Sequence, residues 1–491
     1  MITAALIAFP FLAALLLLVL PSARTKQFAL AATLIQAAIT VYVVMLFNIN
    51  ERQSLMANMQ FILREDWIQS FGISFFIGLD GISLLMVILT NFLLPFIVLT
   101  TWNRPMANTR FFYFLMLFMQ GALVGVFVSL DAFLYYVFWE LALIPIYLIV
   151  LLWGGENRVK ITFKFFIYTL AGSLFMLAGI IWMYLQTQDR SFGIDSFYAV
   201  MLDGTSQRWV FWAFFIAYAI KIPLLPFHTW QPDTYTTAPS AGTMLLSGIM
   251  LKMGIYSIMR WVLPITPTAV AAYTDIVLIM CVVGIIYASW IAISQNDLKR
   301  LFAWSSIAHV GLITAGLFTL SRTGFQGALV QMIAHGVNVI GLFFIAEIFL
   351  QRRNTTQIDA LGGIRSKAPI FASVYMIITF ASIALPLTNG FIGEFLLLSA
   401  LYEYSYWFAA FAGLAVILGA VYMLRAYKNT MLGEDSSESF ADLNASEKWV
   451  LFPIVGLILF FGIYPQFIFN LTDESVKYLL SEITHHMALN Y

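Results

Sequence analysis

The sequence has few charges, one cysteine and no long polar segment. Only 10% of its 491 residues are charged, 61% are hydrophobic, and the mean hydropathy is +0.88. A soluble domain typically has about 25% charged residues, so this composition excludes that class. Lys and Arg number 25 and balance the 25 Asp and Glu. A net charge of zero gives no electrostatic reason to bind nucleic acid.

The single cysteine and the missing nucleotide motifs exclude most redox cofactors from this chain. Cys281 has no second cysteine with which to form a disulfide, an iron–sulfur cluster site or a zinc site. No glycine-rich phosphate loop follows a predicted strand. We therefore expect neither a metal nor a cofactor bound to this chain, and we expect its function to come from membrane segments.

Apolar runs long enough to cross a bilayer recur along the whole sequence. A crossing helix needs about 20 predominantly apolar residues, and we predict fourteen such helices in an all-α membrane protein. They are centred near Ala14, Val41, Thr90, Val124, Leu143, Ala178, Phe215, Met250, Ile286, Leu312, Gly341, Ala384, Ile417 and Leu457. The run at residues 1–20 lacks the basic start of a secretory signal, so it is predicted to be a membrane helix.

Most Lys and Arg residues fall in alternate loops, such as those that hold Lys160 and Arg300. The opposite loops hold only Arg52, Arg64, Arg190, Arg208, Arg260, Arg322 and Lys477. Because loops rich in Lys and Arg stay in the cytoplasm, both termini are predicted to lie on the periplasmic or equivalent face. Asp297, Lys299 and Arg300 are predicted to cap the tenth helix.

Ionisable side chains interrupt several of the apolar runs. The six most central ones are Glu140, Lys221, Lys252, His309, His335 and Glu394. A charge at the bilayer centre costs about 2.5 to 3.5 kcal/mol on insertion scales, so such residues usually mark a path for ions or protons. No two fall on one run, so a path needs several helices side by side. Less specific interpretations are that Lys221 snorkels to water and that each histidine only bonds a neighbouring hydroxyl or amide.

Two of these runs contain helix-breaking residues beside their charge. Pro223 follows Lys221, whereas Pro386 and Gly393 precede Glu394. In lipid, a broken helix is tolerated only where its backbone is buried in protein or lines a hydrated cavity. Interrupted helices at corresponding places in two halves indicate inverted repeats with an ion site near the midplane.

The two broken runs are the seventh and the twelfth, and an odd offset of five reverses the orientation in the membrane. We therefore predict two inverted five-helix repeats, helices 4–8 over residues 108–262 and helices 9–13 over residues 263–430. Residues 1–107 form three flanking transmembrane helices. Residues 431–491 form a cytoplasmic loop, helix 14 and a C-terminal tail.

Five short sequences carry a resemblance to a known family. They are Phe138-Trp139-Glu140, Lys221-Ile-Pro-Leu-Leu-Pro-Phe-His228-Thr-Trp230, Leu251-Lys252-Met-Gly254, Asp297-Leu-Lys299-Arg300 and Gly390-Phe-Ile-Gly393-Glu394-Phe. In this order and on these helices they resemble the antiporter-like membrane subunits of respiratory complex I, an NADH:quinone oxidoreductase. The resemblance covers nearly the whole chain.

Within that family, Glu394 favours the M-type group, whose mitochondrial counterpart is NADH dehydrogenase chain 4. Relatives of the L and N types usually have lysine at this place, and this chain also lacks the long lateral helix of the L type. One departure lies in Pro232-Asp233-Thr234-Tyr235, where the family often has Pro-Asp-Ala-His. A role for a histidine there does not transfer to Tyr235.

The resemblance implies that Glu140 pairs with Lys221 in the N-terminal half. At 4 Å and an effective dielectric near 20, one ion pair is worth about 4 kcal/mol. A proton that crosses about 200 mV costs about 4.6 kcal/mol. Making or breaking one such pair is therefore on the scale needed to move one proton uphill.

The resemblance also implies that Lys252 connects the two halves through His309 and His335 to Glu394, the terminal proton donor or exchange site. NADH, FMN, iron–sulfur clusters and quinone would belong to partner subunits, with L-type and N-type paralogues on either side in the lipid of a bacterial inner membrane. The alternatives are a subunit of a multisubunit sodium/proton antiporter, a membrane-bound hydrogenase-type complex, and a haem carrier that uses the two histidines.

Overall fold

The computed structural model describes residues 1–49, 59–433 and 439–489, and most of them are helical. The helices up to the first interruption are α1 (Ile2–Val19), α2 (Thr25–Leu46), α3 (Gly81–Thr100), α4 (Thr109–Val128), α5 (Ala132–Trp153), α6 (Arg158–Gln186), α7 (Ile194–Ala199) and α8 (Gly204–Lys221). The later helices are α9 (Gln231–Thr237), α10 (Ser240–Leu245), α11 (Leu251–Ser257), α12 (Pro267–Ser294), α13 (Leu298–Phe318), α14 (Arg322–Arg353), α15 (Pro369–Ser382), α16 (Asn389–Tyr404), α17 (Tyr406–Met431), α18 (Ala445–Ile463) and α19 (Gln466–Leu489).

Twelve helical segments in the described ranges are long and apolar enough to cross a membrane. The two predicted spans outside this set are those centred near Phe215 and Ala384, where the helices are interrupted. A multi-span helical membrane protein is therefore confirmed.

Both predicted interruptions are present. The first interruption follows α8, which ends at Lys221, and the chain becomes helical again only at Gln231. The second interruption lies between α15, which ends at Ser382, and α16, which begins at Asn389. Prolines in both gaps remove backbone donors and stop the helix. Each gap therefore lies close to a predicted ionisable residue.

Gly390 lets the first turn of α16 approach the end of α15. A Cβ atom at Gly390 would lie 2.2 Å from the carbonyl oxygen of Ala381, which belongs to the backbone of α15. No side-chain rotation relieves such a contact, so only glycine fits this position.

We expect Gly390→Ala to destabilise the second interruption. Overpacking of this kind costs about 1–3 kcal/mol, so the variant should unfold at a lower temperature and accumulate less in membranes. Gly413→Ala on α17 is the control, because no atom lies within 4 Å of its added Cβ. Equal thermal midpoints for the two purified variants would contradict the steric argument.

The segment Ser240–Val262 is helical throughout but not uniformly α-helical. It contains α10, a π-turn at Leu246–Met250, α11 and a second π-turn at Ile258–Val262. π-Turns are rare and occur often at functional sites. In the most apolar 18-residue stretch of this segment every residue is buried, and in the corresponding stretches of α13 and α14 94% of the residues are buried. Lys252, His309 and His335 lie on these three central segments.

The structure adds two elements that the sequence does not predict, a small β-hairpin and a helix in the C-terminal tail. The strands β1 (Gln60–Ile68) and β2 (Ile73–Leu79) form a two-stranded antiparallel hairpin. Most of the residues assigned to the tail form α19, which buries Leu471, Val476 and Leu479. The apolar residues of α19 share one face and do not form a long run, so a search for apolar runs missed this helix.

Two basic residues that were predicted to lie in loops lie in helical segments instead. Arg260, assigned to a loop, is 1% exposed in the second π-turn. Asp297 caps α13 as predicted, because its Oδ1 accepts from the Arg300 amide at 2.9 Å. Lys299 does not cap the helix: it is buried, and its Nζ donates to the carbonyl oxygens of Thr236 and Ala238. Arg52 lies outside the described residues.

Candidate proton-transfer site

The six predicted residues lie on six different helices. Glu140 is on α5, and Lys221 ends α8. The other four are on α11, α13, α14 and α16, and their side chains form one line of two contacting pairs. These four are Lys252, His309, His335 and Glu394.

Lys252 begins this line and is fully buried. Its Nζ donates to the carbonyl oxygen of Ser247 at 2.5 Å, within the first π-turn. The same Nζ lies 2.8 Å from Nδ1 of His335. While Lys252 is an ammonium it has only donors; Nδ1 of His335 then accepts, and a neutral ring has its proton on Nε2. The geometry can pass a proton between Lys252 and His335 directly.

His309 and Glu394 form the other end of the line. Nδ1 of His309 lies 3.0 Å from Oε1 of Glu394. The amide of Gln331 also donates to that oxygen, at 3.3 Å. The rings of His309 and His335 have their centroids 5.9 Å apart. Four side chains from four helices therefore make two direct contacts, and the gap between these lies between the two imidazoles.

A small cavity with room for about one water molecule lies beside that gap. Its polar lining residues are Ser305, Ser306, His309, Gln331, His335, Asn338 and Ser382. Four buried polar atoms of this lining have no partner among the described residues: Nε2 of His335, Oγ of Ser306, Oε1 of Gln331 and Oδ1 of Asn338. Unsatisfied buried groups cost about 1–3 kcal/mol each, and such a lining suits ordered water. Water there would join His335 to His309.

Glu140 and Lys221 form a second group. The two side chains interact electrostatically, but in the described part of the chain no ion pair joins them directly. Nζ of Lys221 lies 5.3 Å from the ring centroid of Trp139, a cation–π contact. The structure therefore places Glu140 and Lys221 within range of each other but does not close the pair that the resemblance implies.

The two groups are linked through aromatic residues between α5, α8 and α11. The hydroxyl of Tyr135 lies 2.5 Å from that of Ser257 on α11. The ring of Trp139 packs against both Tyr135 and Tyr218. Among the described residues, no direct hydrogen bond joins Lys221 to Lys252. The structure therefore brings four of the six residues together and leaves the first two as neighbours of that line.

Sequence reasoning missed a buried acid at one end of α10. Glu347 on α14 is 2% exposed, pairs with Arg104 at 3.0 Å and accepts from the Ser240 hydroxyl at 2.5 Å. The signal was an acid inside an apolar run. Because Arg352 and Arg353 follow within six residues, the sequence does not separate Glu347 from the loop.

A second missed pair is buried still more deeply. Nη2 of Arg260 lies 2.6 Å from Oδ2 of Asp80, and the side chains are 1% and 0% exposed. No sequence signal joins residues 180 positions apart. Within the described ranges, no group of three or more His, Cys, Asp or Glu residues is placed to hold a metal ion.

The chain matches a known family and its members over most of its length. A family profile described as NADH:quinone oxidoreductase/Mrp antiporter, TM matches residues 129–419, a range that contains all six residues above. The NADH-quinone oxidoreductase subunit M of Rickettsia typhi is 37% identical over 457 residues, 92% of this chain and 91% of that protein. The NADH-ubiquinone oxidoreductase chain 4 of Marchantia polymorpha is 34% identical over 484 residues, 97% of this chain and 96% of that protein.

A solved structure shows the same fold. A chain of the structure described as respiratory complex I from Thermus thermophilus with bound NADH matches with a TM-score of 0.90 and 28% identity, over 98% of this chain and 100% of that chain. Together with the two relatives, this match agrees with the resemblance carried by the motifs around Glu140, Lys252 and Glu394. The chain belongs to the NADH:quinone oxidoreductase/Mrp antiporter transmembrane family, as an antiporter-like membrane subunit of the M type.

Proposed function

We propose that this chain translocates protons as the M-type membrane subunit of an NADH:quinone oxidoreductase. The observation that carries the proposal is the buried line from Lys252 through His335 and His309 to Glu394. Its members are all titratable, and titratable groups in a membrane interior typically mark proton relays. NADH, FMN, the iron–sulfur clusters and quinone would be held by partner subunits.

The proposed architecture has fourteen crossings, because the two interrupted segments are counted with the twelve continuous ones. Residues 108–262 and 263–430 would form inverted repeats between the flanking regions 1–107 and 431–491. One interruption in each half, each beside a charged residue of the site, supports this division. The bias of Lys and Arg between alternate loops supports a topology with both termini on the periplasmic face of a bacterial inner membrane.

In the proposed mechanism, a partner subunit perturbs Glu140 and Lys221, and the resulting change in charge acts on Lys252. Nζ of Lys252 then gives its proton to Nδ1 of His335 across their 2.8 Å contact. Water in the cavity accepts a proton from Nε2 of His335 and passes one to His309. The imidazole of His309 delivers its Nδ1 proton to Glu394 across 3.0 Å. Each step moves one proton and needs no electron transfer in this chain.

The energy of making or breaking one ion pair is close to the cost of moving one proton across the membrane. Bringing one charge within 4 Å of an opposite charge changes the energy by about 4 kcal/mol at a dielectric near 20. That is close to the cost of about 4.6 kcal/mol for a proton that crosses about 200 mV. The partners in this proposal are L-type and N-type paralogues, which would continue the same line on either side.

Affinity purification of the tagged chain in mild detergent tests the assembly. We expect flavin and iron–sulfur subunits that oxidise NADH to co-purify, together with paralogous membrane subunits, because pumping here needs an external redox reaction. Subunits of a hydrogenase, or membrane-embedded antiporter subunits alone, would contradict the proposal. Mass spectrometry of the purified assembly distinguishes the three outcomes.

A further inference from the structure

The buried pair of Asp80 and Arg260 joins the surface belt of the protein to the helix that carries Lys252. We define the surface belt as the hairpin β1–β2 together with α19. Asp80 follows directly after β2 and caps the start of α3. A pair whose two members are almost completely buried is costly to desolvate, and such pairs often contribute specificity of geometry more than stability.

The two carboxylate oxygens of Asp80 have separate partners. Oδ1 accepts from both the amide and the hydroxyl of Ser83, at 2.8 Å each. Oδ2 is left for Arg260, at 2.6 Å. The cap thus holds the carboxylate in one orientation, and Arg260 is bound to a rigid acceptor.

Gly81, the residue after Asp80, contacts α19. The amide of Gly81 donates to the hydroxyl of Ser475 at 3.0 Å. A Cβ atom at Gly81 would lie 1.9 Å from the carbonyl oxygen of Leu471, so the backbones of α3 and α19 are in contact. Asp80 is therefore tied to α19 through the backbone of its neighbour Gly81.

Arg260 lies in the second π-turn of the segment Ser240–Val262. It follows Lys252 by eight residues, about 12 Å at a rise of 1.5 Å per residue. The hydroxyl of Tyr198 donates to the carbonyl oxygen of Arg260 at 2.7 Å, and the guanidinium lies over the ring of Tyr256. Side chain and backbone of this turn are thus both anchored.

The opposite end of the same segment is anchored independently. Ser240 donates to Glu347, which pairs with Arg104. Lys252 therefore lies between two buried anchors, with one π-turn on each side of α11. Since π-turns depart from regular α-helical winding, a regular helix does not fix the distance from Lys252 to either anchor.

Accordingly, we infer that Asp80 and Arg260 are positioning residues for proton transfer: their ion pair holds Lys252 at hydrogen-bond distance from His335 and couples that distance to the surface belt. This inference rests on the proposed function of Lys252. It assigns no proton-carrying role to the pair itself, because neither residue contacts the line from Lys252 to Glu394.

The test uses the assembled complex in proteoliposomes and measures the ratio of protons moved to electrons transferred. The main variant is Asp80→Asn with Arg260→Gln, which removes both charges together and leaves no unpaired buried charge. We expect its ratio to fall at least half of the way from the unsubstituted value to that of Lys252→Met. Reintroducing the charged pair as Asp80→Glu with Arg260→Lys should restore most of the ratio.

The control is Arg322→Gln with Asp473→Asn. These residues form an ion pair between α14 and α19 at 2.5 Å, but Arg322 is 60% exposed and the pair lies away from Lys252. We expect the ratio to stay unchanged in this control. A merely structural role for Asp80 and Arg260 would reduce the amount of assembled complex without changing the ratio for each complex that forms.

A ratio equal to that of the unsubstituted complex in the neutral Asp80 and Arg260 variant would overturn the inference. If that variant does not assemble, Tyr198→Phe takes its place, because it deletes only the hydrogen bond to the Arg260 carbonyl. A fall in ratio of about 1.5-fold or more then supports the inference, and an unchanged ratio refutes it. If Lys252→Met itself pumps normally, the proposed function fails. If Lys252→Met lowers the ratio but the variants at Asp80, Arg260 and Tyr198 do not, the proposed function stands and the inference about the pair is wrong.

Discussion

Lys252→Met is expected to abolish the proton translocation that this chain contributes, while the assembled complex still forms. Methionine keeps the length and apolar stem of the side chain but has no proton to give to Nδ1 of His335. Removing the ammonium also removes a buried charge, so the substitution does not create an unpaired one. The measurement is proton uptake or release for each NADH oxidised, in membranes that contain equal amounts of complex.

The matched control is Lys299→Met. Lys299 is also buried, at 6% exposure, but its Nζ is bound by the carbonyl oxygens of Thr236 and Ala238, away from the histidines. We expect this variant to lose stability and to keep most of its ratio of protons to electrons. Equal ratios in the two lysine variants would show that burial of a lysine, not contact with His335, matters for pumping.

Glu394→Gln should have the second largest effect. Glutamine keeps an oxygen that can accept from His309 and Gln331, but it cannot take up the proton that the imidazole would deliver. We expect pumping by this chain to fall by at least tenfold with little change in folding. Glu394→Asp retains a titratable group and should recover part of the activity, limited by the shorter reach to His309.

Glu403→Gln provides the control on the same helix. Glu403 is exposed near the end of α16, so its substitution removes an equal charge without touching the line. We expect normal pumping. If Glu394→Gln also pumps normally, then protons do not leave the line through Glu394, and the proposed terminal role is wrong even if Lys252 remains essential.

Much of the site could be predicted from single residues. A charge in an apolar run is visible locally, so Glu140, Lys252 and Glu394 stand out from their neighbours without any knowledge of packing. Proline and glycine identify interruptions for a similar reason, because they act on the backbone of their own helix. The π-turns beside Lys252 have no such signature in the sequence.

Residues at the edges of runs were the ones placed wrongly. Arg260 and Lys299 lie near the ends of apolar runs, so counting loop charges assigned both to the surface. The structure buries them because Asp80 and the carbonyl oxygens at the C-terminal end of α9 supply partners for their charges. A buried charge is tolerated when it is paired or hydrogen-bonded, and a partner that is distant in sequence cannot be found from hydropathy.

The sequence by itself determined the class of the protein, the broken helices and the set of titratable residues, because each depends on the composition of one short segment. Only the tertiary structure decided that Lys252 contacts His335 and that His309 contacts Glu394. It also decided that Arg260 binds Asp80. These contacts depend on how whole helices are rotated and packed against one another, and hydropathy along one segment does not encode the rotation of its neighbours.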